Sequence, residues 1–162
     1  MSNDKEKAEG QLALEAALAA LIPAVDAAAG EDAATAMAAL NAQYPFDGPE
    51  VTDIFDRCRE GLSDGWLTPR AAGASIQFGR LAKDMGGYAI DAVVMDNAKG
   101  MGHTHTRGEF NMCFALDGEL RFDGHPPGCV VFGNESHHVP TVTGGKMLFL
   151  YFTPGGEVVW DS

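Results

Sequence analysis

A chain of 162 residues is long enough for one domain with a sizeable core and needs no disulfide staples. Its 11 basic and 23 acidic side chains give a formal net charge of -12, which repels phosphate backbones and anionic membrane surfaces and so argues against nucleic acid as a partner. The three cysteines, Cys58, Cys113 and Cys129, are odd in number, widely spaced and without a Cys-x-x-Cys pair, as expected of a cytoplasmic protein in a reducing compartment.

Residues 1–10 are expected to be a polar or disordered N-terminus. The alanine-rich stretch that follows carries Glu15 and lacks a basic leader, so it is expected to be neither a signal peptide nor a membrane span. From residue 11 to 62 the pattern is helical. Leu12, Leu14, Leu18, Leu21 and Ile22 form an apolar stripe. Pro23 should interrupt or kink this helix, and Glu31-Asp32 should restart a second one through Leu40, giving a hairpin of helices. After the turn cluster Tyr44 to Pro49, Val51, Ile54, Phe55 and Cys58 recur at helical spacing and predict a third, short helix ended by Gly61. The helical segment carries no chemistry of its own and is expected to pack on the remaining domain or on a second subunit.

Residues 63–162 read as a β-domain. Short strands are predicted over Ser75 to Leu81, Tyr88 to Met95, His103 to Leu116, Glu119 to Phe122, Cys129 to Phe132, His138 to Val142, Met147 to Phe152 and Val158 to Trp160, with Asp117-Gly118 and Gly144-Gly145 as hairpin turns. Such spacing suggests a sandwich or barrel.

All five histidines fall between positions 103 and 138. His103 and His105 are one residue apart, so on a strand both point to the same face and can reach one ion. Glu109 lies at even spacing from them and joins that face if the strand continues without a bulge. A later histidine, His137 or His138, could close a metal site.

His103-x-His105, Glu109 and the glycine at Gly118 resemble the first cupin motif, and Gly128 through His138 is similar to the second. The resemblance implies a cupin double-stranded β-helix barrel, jelly-roll-like, binding one divalent metal ion through three histidines and a glutamate. Alignment on Val139-Pro140 selects His138 as the last ligand, with His137 in reserve. Where the second motif usually shows Pro-x-Gly-x-x-His, this chain has Gly133 and Glu135 in place of the proline and the glycine.

A closer resemblance spans nearly the whole chain: Asp64-Gly65-Trp66-Leu67-Thr68-Pro69-Arg70, Phe78-Gly79-Arg80-Leu81, Gly87-Tyr88-Ala89-Ile90-Asp91 and Pro140 to Lys146 look like the small bacterial 4-hydroxylaminobenzoate lyase family. That resemblance implies conversion of 4-hydroxylaminobenzoate to 3,4-dihydroxybenzoate and ammonia, with a small aromatic substrate. The ion is left open among Fe, Mn, Ni, Co and Zn.

Such chemistry asks for a cation to hold the aryl carboxylate. Arg80 is the first candidate, with Arg70 and Arg107 behind it; the alternative for each is a surface ion pair, which is favoured for Arg70 and Arg107. Glu109 is expected to take part in catalysis as well as in metal binding. Tyr88 and Tyr151 are candidates for proton transfer, against a structural role in the β-core. Asn111 and Cys113 follow Glu109 at even spacing and are expected to line the cavity. Cys58 and Cys129 are expected to be buried hydrophobes, and His125 to sit in a turn. The expected assembly is a homodimer. Two other classes remain open: a cupin dioxygenase acting on a small aromatic with the same ligands, and a non-enzymatic binding barrel.

Overall fold

The alanine-rich segment forms three helices, α1 (Glu9–Ala19), α2 (Ile22–Ala28) and α3 (Ala33–Gln43), and a fourth, α4 (Pro49–Asp64), follows the turn cluster. These belong to a computed structural model that describes residues 7–161. Residues 1–6 of the expected polar N-terminus lie outside the described residues, while Glu9 and Gly10 are already helical.

Pro23 interrupts the helix as expected: α1 ends at Ala19, and α2 restarts at Ile22 with Pro23 in its first turn, where a missing N–H removes no intrahelical bond. Asp32 starts α3 as expected of an acidic restart, its side chain accepting the Thr35 N–H at 2.9 Å. Gly65, at φ 87, stops α4 in the left-handed conformation that glycine adopts without strain. Instead of one hairpin there are two helix pairs, α1 on α4 and α2 on α3. The stretch Glu9–Ala28 is apolar enough by length and composition to cross a membrane. Here Leu14, Leu18, Leu21, Ile22 and Val25 bury in the domain's own core.

The strands are β1 (Arg70–Ala71), β2 (Ile76–Met85), β3 (Tyr88–Asp96), β4 (His103–His105), β5 (Glu109–Phe122), β6 (Gly128–Phe132), β7 (Ser136–His138), β8 (Val142–Pro154) and β9 (Val159–Trp160). They pair antiparallel into a six-stranded sheet, β1-β2-β3-β8-β5-β6, and a three-stranded sheet, β7-β4-β9. The small sheet covers one face of the large one and encloses a cavity between them, giving a jelly-roll-like barrel with the helices packed on its other side.

Alternation along the central strands separates the two faces of the large sheet. Tyr88, Ile90, Ala92 and Val94 of β3, Phe110, Met112 and Phe114 of β5, and Leu148, Leu150 and Phe152 of β8 face the helices and build the larger core. Val93, Met95, Cys113, Met147 and Phe149 face the barrel interior and form a second core with Phe122 and Val142.

The two dipeptides expected to be hairpin turns, Asp117-Gly118 and Gly144-Gly145, lie opposite each other inside long strands, with Asp117 facing Lys146 and Gly118 facing Gly145 across irregular β5–β8 pairing. A Cβ on Gly118 would collide with the Gly144 carbonyl oxygen, and one on Gly145 with the Asp117 oxygen. Glycine here permits a bulge with close backbone approach, not a reversal of the chain.

At the free edge of the large sheet, Asn41 of α3 holds β6. Its Oδ1 accepts the Cys129 N–H and its Nδ2 donates to the Cys129 carbonyl, both at 2.9 Å. The amide thus satisfies both polar groups of one edge residue and docks α3 on the strand. Asn41→Ala is expected to lower the unfolding free energy by about 1–3 kcal/mol, because two half-buried backbone groups lose their partner. Urea titration followed by circular dichroism reads this directly, and an unchanged midpoint would show that water replaces the amide.

Candidate metal centre and its cavity

His103 and His105 stand on β4 with side chains to one face, and β7 places His138 directly opposite His103 in the antiparallel register. His105 Nε2 lies 2.9 Å from His103 Nε2 and 3.0 Å from His138 Nε2. The three ligand atoms fall within 4.8 Å of one another. His137 pairs with Thr104, whose side chain points the other way, and its ring meets Asp161 instead of the cluster.

Glu109 reaches the cluster by a route the spacing did not anticipate. The expected strand from His103 to Leu116 breaks after His105, where Gly108 at φ 80 turns the chain out of the small sheet and into the large one. Glu109 therefore opens β5 on the facing sheet. Its Oε2 lies 2.9 Å from His105 Nε2. His105 is fully buried and Glu109 nearly so.

The donor chemistry fits a cation. His103 Nδ1 lies 2.9 Å from the Met101 carbonyl oxygen, which can only accept, so the ring proton sits on Nδ1 and Nε2 presents a lone pair. His138 Nδ1 donates in the same way to the Asp123 carboxylate, again freeing Nε2. Burial pushes the His103 pKa below its ordinary value, which keeps this ring neutral. Two imidazole lone pairs and a carboxylate thus converge around His105 Nε2, and one N–H could satisfy only one of them. A divalent ion satisfies all four groups at once, and His103 and His138 follow the pattern in which a ligating histidine hands its other nitrogen to a fixed acceptor, whereas the buried His105 Nδ1 has no hydrogen-bond partner among the described residues. Asp123 is itself anchored, since its second oxygen accepts the Thr141 N–H at 2.8 Å, and its φ of 48 lies in the left-handed region that aspartate tolerates.

In the second motif the usual glycine position holds Glu135, whose φ is 61. The turn before His138 therefore keeps a left-handed residue without the glycine that would adopt it freely. Glu135→Gly is expected to leave metal content unchanged and to raise stability by up to about 1 kcal/mol, read as a shift in thermal midpoint.

The cavity above the cluster has a volume of about 290 Å³ and is lined mostly by apolar side chains, with His103, Glu109 and His138 at one end. Across the inner face of the large sheet runs one polar row: Arg80 faces Asp91, Asp91 faces Tyr151, and Tyr151 faces Asn111. The row behind it is apolar, with Phe78, Val93, Phe149 and Cys113 in register. Arg80 donates Nε and Nη2 to the two Asp91 oxygens at 2.9 and 3.3 Å. Burial pushes the Asp91 carboxyl up despite this ion pair, whereas Arg80, with 57% of its side chain exposed, sits at the rim. Burial also raises the Tyr151 pKa, reinforced by the nearby charges of Asp91 and Glu109, so this phenol stays protonated.

The profile of the family described as PnbB, 4-hydroxylaminobenzoate lyase, matches residues 18–160. The chain belongs to this family. A 4-hydroxylaminobenzoate lyase from Nocardioides sp. (strain LMS-CY) is 30% identical over 114 aligned residues, covering 64% of this chain and 68% of its own. One from Pseudomonas putida is 27% identical over 143 residues, covering 75% and 80%. Among solved structures, an RmlC-like cupin protein from Ralstonia eutropha JMP134 superposes with a TM-score of 0.46 at 14% identity, over 59% of this chain and 66% of its own.

Of the side chains that the sequence nominated, this member of the lyase family brings Arg80, Tyr151, His103, Glu109 and His138 to the cavity wall, with His105 buried behind them in the cluster. Four others require correction. Tyr88 lies on the helix-facing side of β3 and donates to Asp26 of α2 at 2.8 Å, because one step along the strand reverses the face; its role is packing, edge-on to Phe110 and Phe152. Arg70 is exposed on the two-residue edge strand β1 and does not line the cavity. Asn111 and Cys113 share the inward face of Glu109, as even spacing requires, yet neither reaches the cavity wall. The Asn111 Nδ2 turns to the Val130 carbonyl at 3.4 Å, and Cys113 is fully buried among the apolar row. Arg107 pairs with Glu157 at 3.4 Å, outside this cavity, and His125 occupies the turn that bridges back to Phe122. Sequence reasoning missed Asp91, Asp123 and Trp160. Asp91 was signalled by a lone acid inside the apolar run Tyr88 to Met95, whereas Asp123 before Gly124 resembles an ordinary turn residue.

Proposed function

We propose that this chain is a metal-dependent cupin lyase that converts 4-hydroxylaminobenzoate and water to 3,4-dihydroxybenzoate and ammonia. The observation that carries the reading is the convergence of three imidazoles and one carboxylate at the end of a mostly apolar cavity, in a member of the 4-hydroxylaminobenzoate lyase family. Histidines facing one another also support an enzyme over a barrel used only as a pocket.

The reaction needs no external oxidant or reductant. Nitrogen is reduced as the N–O bond breaks, the ring is oxidised as carbon–oxygen bonds replace C–N and C–H, and one water balances the atoms. A divalent ion held by His103, His105, Glu109 and His138 would supply Lewis acidity toward the hydroxylamine group and lower the pKa of a water.

The chain's own groups bind and move protons. Arg80 spends Nε and Nη2 on Asp91, which leaves Nη1 at the cavity rim for the aryl carboxylate. Asp91 fixes the plane of that guanidinium and keeps a carboxylate near the ring. Tyr151, protonated and in the same row, can donate to the departing nitrogen or to the ring oxygen. Val93, Phe122 and Phe149 supply apolar walls that exclude bulk water.

The test is elemental analysis of the purified protein combined with turnover of 4-hydroxylaminobenzoate, scoring ammonia and 3,4-dihydroxybenzoate. Stoichiometric metal with both products in equal amounts supports the reading. Full turnover by metal-free protein removes the metal mechanism, and oxygen uptake during turnover points to a dioxygenase.

A further inference from the structure

The last strand of the described chain is two residues long, yet it places an indole against the metal-site histidines. Trp160 lines the cavity, its ring 4.7 Å from that of His103 and inclined 57° to it. The residue is 55% exposed, so part of the indole is still open to a ligand or to solvent. Backbone pairing holds β9 on the outer edge of β4 only at His103 with Trp160 and Thr104 with Val159. So short a ladder fixes a large side chain poorly.

A second fastening lies one residue further on. The Asp161 N–H donates to the Gly102 carbonyl at 3.0 Å, and its carboxylate meets His137 Nε2 at 2.8 and 3.1 Å. His137 belongs to β7, on the opposite edge of β4. The contact therefore spans the outer face of the small sheet and ties its two edge strands together. Gly102 leaves room for it, since a Cβ there would collide with the Asp161 Oδ2. This gives His137 work that metal ligation does not.

We propose that Trp160 is the specificity wall of the cavity, stacking a planar aromatic ring beside the histidine cluster, and that Asp161 and His137 are positioning residues that clasp β9 in place. The aromatic character of the ligand rests on the lyase reading above. A flat ring entering the cavity gains the large apolar face of the indole, which an aliphatic hydroxylamine cannot match.

The experiment has two arms. In steady-state turnover of 4-hydroxylaminobenzoate, Trp160→Ala should raise KM by about tenfold while kcat and metal content hold. Asp161→Ala should raise KM in the same direction by less, and Asp161→Asn, whose amide oxygen still accepts from His137, should recover most of it. In the binding arm, 4-hydroxybenzoate should quench tryptophan fluorescence of the wild-type protein, and Trp160→Phe should abolish the quench. An unchanged KM in Trp160→Ala, loss of metal from that variant, or quenching that survives Trp160→Phe overturns the assignment. Failure of the lyase reading shows separately, as a wild-type protein that does not turn over the substrate, and the quenching arm still decides the role of Trp160.

Discussion

His105→Ala should strip the metal and cut turnover by more than about a hundredfold, since groups that merely hydrogen-bond a ligand are already worth about 10- to 100-fold. His105 is the centre of the cluster: its Nε2 touches His103, His138 and Glu109 at 2.9, 3.0 and 2.9 Å. No other side chain makes all three contacts among the described residues, so an alanine there leaves three lone-pair groups without a common partner. Glu109→Gln separates charge from shape. The glutamine keeps an oxygen in place but removes the only anion of the set, so it should lose most metal at modest chelator concentrations and recover activity with excess divalent ion. His137→Ala should keep its metal, because its ring points to Asp161. Elemental analysis before and after dialysis against chelator measures all three. Metal retained by His105→Ala at wild-type stoichiometry would place the ion elsewhere.

Phe114→Ala should cost about 3–5 kcal/mol of stability, the range for removing a fully buried ring. Phe114 has no exposed surface and stacks on Phe55 of α4 with centroids 4.8 Å apart and planes within 4°, with the Phe46 ring 6.4 Å away. It lies on the helix-facing side of β5, so its loss undermines the contact between helices and barrel without touching the metal cluster on the opposite face. Denaturant unfolding should show the full drop, and the fraction still folded should bind metal as the wild type does. A drop below about 1 kcal/mol would mean that the helices contribute little to the barrel's stability, contrary to the continuous core they share.

The parts of the fold that depend on neighbours in sequence were legible. The leucine stripe and the acidic restart at Asp32 mark helices because apolar positions recur every three or four residues and a carboxylate satisfies free N–H groups. Alternation placed Glu109, Asn111 and Cys113 on one face of β5, and that parity holds. It says nothing about depth: how far along the strand the cavity extends depends on which rows the facing sheet covers, so Asn111 and Cys113 share the face without reaching the wall. Glycine misled for a related reason. Asp117-Gly118 and Gly144-Gly145 serve a bulge as well as a turn, and only the strand running opposite distinguishes the two.

Residue identity and local periodicity are enough for the family, the helical and β regions, and the joint orientation of His103 and His105. The rest of the site depends on contacts between elements distant in the chain. Glu109 arrives from the facing sheet after a glycine turn, His138 and not His137 faces the cluster because β7 pairs in register with β4, and Asp123 and Met101 orient the rings. Arg80 meets Asp91 across the β2–β3 ladder, and Tyr88 spends its hydroxyl on a helix residue 62 positions earlier. Contacts of that kind depend on strand register and on which layers pack together. Those are set by the burial of the whole core, a quantity that no short stretch of sequence contains.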